Sequence, residues 1–200
     1  LPQTNFLATV GSDNRLIIWD VPSASVAQQV ELEATSRALA WSPNGQYLAV
    51  GNDFGVLKIF DSQLSLILET TLHGDYFRSL SWSPNGRYLA TANDDRTTVI
   101  FDVANNVTAA ILNGHEDWVR DVVWLDDSYL ATGGDDSKTI LWEWNGGSEA
   151  EIIQTLERIE GFHQAITYLP QSRGGILAVG STESQIALWN MEASGTARYD

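Results

Sequence analysis

Apolar residues run along this chain in short bursts, with no long helical stripe. Five bursts end in an aromatic followed by a polar residue: LIIWD (16–20), VLKIFD (56–61), TVIFD (98–102), TILWE (139–143) and IALWN (186–190). Their aromatics, Trp19, Phe60, Phe101, Trp142 and Trp189, lie 41, 41, 41 and 47 residues apart. A second series alternates with the first: LAWSPNGQYLAV (39–50), LSWSPNGRYLAT (80–91), VVWLDDSYLAT (122–132) and TYLPQSRGGILAV (167–179). From Trp41, Trp82, Trp124 and Tyr168 to the next burst-ending aromatic the distances are 19, 19, 18 and 21 residues. The last repeat takes up its extra length around NGGS (145–148) and QSRGG (171–175), both turn-like.

Each repeat reads as four short strands, because runs of β-branched, aromatic and apolar residues are broken by turn signals such as SPNG, GNDFG and NDDR. A four-stranded sheet that is apolar on both faces cannot bury them alone. Packed radially, such sheets cover one another and keep their edges short. The pattern therefore predicts an all-β fold, a β-propeller of four-stranded antiparallel blades. About five blades are expected, at roughly 1–33, 34–73, 74–114, 115–158 and 159–200, with the first and last incomplete. The first begins at its second strand, FLATV (6–10), so the chain reads as part of a larger propeller.

With Trp-Asp at 19–20, the degenerate Phe-Asp at 60–61 and 101–102, and Gly-His at 114–115, the chain resembles the WD-repeat family over nearly its whole length. The resemblance implies inner strands ending at Trp41, Trp82, Trp124 and Tyr168 along a central channel, and outer strands at 25–32, 64–72, 107–113 and 150–157. It also implies a structural hydrogen-bond network of His115, Thr132, Asp136 and Trp142, with a shorter copy at His73, Thr91 and Asp95 and a remnant at Thr9, Asp13 and Trp19. His163 is out of register with these. A Ser-His-Asp-like relay would need Thr132 free as a nucleophile. Thr132 lies within a strand, and a degenerate copy recurs one repeat earlier, so the set reads as a staple and the protein as no enzyme. The acid pairs at 94–95, 126–127 and 135–136 read as repeat-equivalent turn residues, with no calcium pattern. No metal site and no cofactor are expected.

Charge and composition narrow the partners. Acids number 26 against 11 bases, a net charge of −15, which disfavours nucleic acid and anionic membrane surfaces. No cysteine is present, so there is no disulfide or thiolate chemistry. No apolar run approaches the ~20 residues of a membrane span, and no signal-peptide pattern opens the chain. An intracellular, cytoplasmic protein without membrane insertion is expected. Against this acidity, Arg37, Arg78 and Arg120 each stand four residues before an inner-strand aromatic, where the last repeat has Gln164. Two residues earlier in three repeats stand Tyr76, Trp118 and Phe162. In WD-repeat proteins these positions look toward the channel mouth. The resemblance thus implies a non-catalytic scaffold or adaptor that binds a protein or peptide there. An acidic or phosphorylated ligand would be held by the arginines, unless these pair with carboxylates of adjacent blades. The alternatives are a structural subunit of a larger complex held by its outer strands, and the propeller portion of an enzyme. Trp144 and Phe54 are expected to pack between strands or loops.

Overall fold

The structure, a computed structural model, describes residues 5–157, 160–171 and 174–198. Its strands form consecutive antiparallel meanders in chain order. The first sheet has three strands, β1 (Phe6–Val10), β2 (Arg15–Asp20) and β3 (Ser25–Glu31). The second has β4 (Ser36–Trp41), β5 (Tyr47–Asn52), β6 (Val56–Asp61) and β7 (Leu66–Thr71). The third has β8 (Phe77–Trp82), β9 (Tyr88–Asn93), β10 (Thr97–Asp102) and β11 (Val107–Asn113). The fourth has β12 (Val119–Trp124), β13 (Tyr129–Gly134), β14 (Thr139–Glu143) and β15 (Glu151–Leu156). The fifth has β16 (His163–Gln171), β17 (Gly174–Ser181), β18 (Ile186–Met191) and the two-residue β19 (Ala197–Arg198). Among the described residues no helix is long and apolar enough to cross a membrane.

The core lies between the sheets, in four apolar clusters that each join one sheet to the next. Ala8, Leu16 and Ile18 meet Leu48, Val50 and Phe60. Leu57 and Ile59 meet Phe77, Trp82 and Phe101. Ala92 and Ile100 meet Val119, Trp124 and Trp142. Ala131 and Leu141 meet Ile166, Val179 and Trp189. The burst-ending aromatic thus faces the preceding sheet, while the residue before it faces the following one. This is the period-2 alternation of strands buried on both faces.

Sheet spacing is kept by paired changes in side-chain size. Gly51 lies against Phe77, and a Cβ there would come within 2.5 Å of that ring. One repeat on, the corresponding pair is Ala92 and the smaller Val119. The β1–β2 turn and the turns between second and third strands of the four-stranded sheets share a left-handed residue: Asn14, Gly55, Arg96, Ser137 and Ser184 have φ of 58, 70, 72, 61 and 58°. Two expectations need correcting. Trp144 is buried, but Phe54 is 70% exposed because it sits at the tip of the turn that Gly55 completes. The acid pair 126–127 belongs to the turn between β12 and β13, a different turn from that of 94–95 and 135–136.

Candidate functional site

Two sets of polar residues stand out, one inside the sheets and one at their rim. In the fourth sheet, His115 Nδ1 lies 3.0 Å from both Asp136 carboxylate oxygens, and its Nε2 lies 2.8 Å from Thr132 Oγ1. Trp142 Nε1 donates to the same hydroxyl at 2.8 Å. One proton assignment satisfies every atom. Nδ1–H donates to Asp136, while the Thr132 hydroxyl accepts from Trp142 and donates to Nε2. Burial pushes the Asp136 carboxyl up, but the His115 hydrogen bond, with the N–H groups of Glu116 and Lys138, holds it below its ordinary value.

The third sheet repeats this chain as far as it can. His73 Nδ1 lies 2.8 Å from Asp95 and Nε2 2.7 Å from Thr91, while Phe101 stands where Trp142 donates. In the first sheet Trp19 Nε1 donates to Thr9 Oγ1 at 2.9 Å, and Asp13 accepts from the Arg15 N–H at 3.3 Å. Thr132 and Thr91 are fully buried. A hydroxyl with both neighbours already bonded and no solvent access offers no nucleophile, so the arrangement staples a turn to two strands. His163, outside this register, bridges sheets by its 2.8 Å bond between Nδ1 and Thr139 Oγ1.

The rim is built by a bulge. The register between first and second strands shifts between Ser36 and Ala38, Phe77 and Ser79, Val119 and Asp121, and His163 and Ala165. The residues in those steps are Arg37, Arg78, Arg120 and Gln164. A bulge re-aims the side chain it carries, here to the end of the sheet. A repeated backbone bond closes the same end: the N–H groups of Asp53, Asp94, Asp135 and Thr182 donate to the carbonyls of Thr35, Tyr76, Trp118 and Phe162.

These closures put a carboxylate beside each guanidinium. Arg37 donates to Asp53 at 2.8 and 3.2 Å, and Arg120 to Asp135 at 2.7 and 2.5 Å. Arg78 holds both oxygens of Asp94. Hydrogen bonds to Asp53 and Asp135 raise the pKa of Arg37 and Arg120. The arginines are therefore paired, and with carboxylates of their own sheets rather than adjacent ones. Aromatic rings alternate with them. Arg78 Cζ lies 5.7 Å from the Tyr76 ring centroid and 5.5 Å from that of Trp118, and Arg120 Cζ lies 4.8 Å from Trp118. Tyr76, Trp118 and Phe162 remain exposed, as does Gln164. Sequence spacing placed the arginines, but Asp53, Asp94 and Asp135 went unrecognised as their partners. The signal was a carboxylate 15 or 16 residues after each arginine.

Serial four-stranded sheets, the bulged inner strand and the Trp–Thr–His–Asp staple together define a WD-repeat β-propeller. Over residues 1–158 the sequence matches the family described as WDR19 first beta-propeller, and the chain belongs to that family. Protein HIR1 of Mycosarcoma maydis is 25% identical over 211 residues, covering 98% of this chain and 18% of that protein. The protein transport protein SEC13 of Yarrowia lipolytica is 31% identical over 91 residues, 42% of this chain and 29% of that protein. The chain thus spans less than a third of the length of these relatives.

Proposed function

We propose that this propeller is a non-catalytic interaction platform that docks a protein or peptide on the rim formed by Tyr76, Trp118, Phe162 and Gln164 with Arg37, Arg78 and Arg120. The observation that carries this reading is the alternation of exposed aromatic rings with guanidiniums paired to their carboxylates. Aromatic and arginine side chains that are already ordered lose little entropy on binding and supply most hot spots. An acidic or phosphorylated ligand would find the Arg78 and Arg120 side chains only 21 and 19% exposed and already paired with Asp94 and Asp135. The geometry therefore favours stacking contacts over anion capture. Similarity to relatives named for protein transport fits a platform. A second reading, a complex subunit held by its outer strands, is favoured by exposed Leu66 and Ile67 on β7 and by Val107 and Ile111 on β11.

The test uses acidic, phosphorylated, neutral and basic peptide panels against the wild-type chain and Tyr76→Ala, Trp118→Ala and Phe162→Ala variants. Binding that weakens in these variants at unchanged melting temperature supports the rim. Binding that survives all three moves the search to the outer strands.

A further inference from the structure

At the end of the strands opposite the rim, a groove of about 370 Å³ opens between the second and third sheets. Its walls include Tyr47, Ile59, Ile67, Leu68 and Val103, with Arg87 at the mouth. The repeat supplies an internal template for what fits there, because the same place between the third and fourth sheets is filled. Trp144 and Val103 stand 41 residues apart, as do Tyr88 and Tyr47. Their backbones are held alike: the Trp144 N–H donates to the Ser128 carbonyl at 2.7 Å, and the Val103 N–H to the Arg87 carbonyl at 3.3 Å. The Trp144 ring meets Tyr88 edge-on with centroids 4.6 Å apart, and its Nε1 donates to the Gly147 carbonyl at 2.7 Å. It is 2% exposed. Val103 is too small to reach across, so the equivalent space against Tyr47 stays open, and Ile67 on its wall is 57% exposed.

We infer that the groove between the second and third sheets receives an aromatic side chain of a partner peptide, which takes against Tyr47 the place that Trp144 takes against Tyr88. Charge selects the neighbours of that aromatic. Among the described residues no carboxylate lines the groove, and Arg87 is its one charged wall residue. The Arg87 side chain is 54% exposed. Its bonds to Asp102, at 3.2 and 2.8 Å, use two of its five N–H donors, leaving others for a carboxylate. The partner is an aromatic residue with an acidic neighbour. This site is independent of docking at the rim.

A short peptide with one Trp flanked by Glu, and the same peptide with Ala for Trp, are titrated by NMR into the wild-type chain, Val103→Trp and Ile67→Glu. Val103→Trp fills the groove with the chain's own indole. Ile67→Glu sets a carboxylate in its wall without touching the core. The Trp peptide is expected to shift the signals of Ile59, Ile67, Leu68 and Val103 in the wild type, and to bind either variant at least about tenfold more weakly. The Ala peptide should leave those signals in place. Equal binding of the Trp peptide to a folded variant, equal shifts with the Ala peptide, or no shift at the groove would overturn the assignment. Should Val103→Trp not fold, Ile67→Glu decides.

Discussion

Asp136 meets its partners in a nearly dry site, its side chain 4% exposed. Burial there opposes ionisation, and the His115 ring with two backbone N–H groups more than reverses it. Its folded pKa lies below the ordinary 3.8, so its contribution is full above that value and drains away as pH falls through the folded pKa. Asp136→Asn should lower unfolding free energy by about 1–2 kcal/mol at pH 7. The difference from wild type should shrink as urea melts are repeated toward and below pH 3.8. A constant difference would show that the carboxylate's charge has no part in the staple. Asp121 has the opposite sign. Burial raises its pKa despite bonds from the Ile166 and Val122 N–H groups at 2.7 and 2.9 Å. It therefore weakens the fold as pH rises from 3.8 through its folded value.

At the scale of the strand, burial of the partner carboxylate decides how much each rim arginine contributes. The Asp94 side chain is 2% exposed and Arg78 is its cation, so Arg78→Ala leaves a buried carboxylate unpaired and should cost about 3–5 kcal/mol. Arg37 is 50% exposed and Asp53 15%, so Arg37→Ala should cost no more than about 1 kcal/mol. Urea unfolding of the two variants checks this; equal losses would mean that burial of the acid does not set the cost. The strands themselves were largely legible, since the repeat of β-branched and aromatic runs marks β1 at 6–10 and the outer strands to within about two residues. The staple was legible through its resemblance to family repeats. The arginine pairing was not, because Asp94 and Asp95 are adjacent and alike, and only the bulge and turn separate their roles. One turns to Arg78, the other to His73. Phe54 departs from the packing its sequence suggests because it stands at a turn tip, where an apolar residue between two buried strands has no neighbour to cover it.

Across the whole molecule, a side chain's contribution depends on where its sheet stands in the series. Ile18, Ile59, Ile100 and Leu141 occupy one register position and are 5, 0, 0 and 0% exposed, each covered by the next sheet. Leu188 occupies the same position in the fifth sheet and is 57% exposed, with Ile186 beside it at 76%. Chemistry and strand register are shared, so only the neighbouring sheet differs. Leu141→Ala should cost about 2–5 kcal/mol, since it opens a cavity between two sheets, whereas Leu188→Ala should cost under about 0.5 kcal/mol. The two denaturation midpoints give the comparison directly. A large gap means that stability resides in the contacts between successive sheets, as expected of a nearest-neighbour array. Equal costs would mean that the fifth sheet's outer face is covered in solution, and concentration-dependent sedimentation would then show whether a second copy covers it.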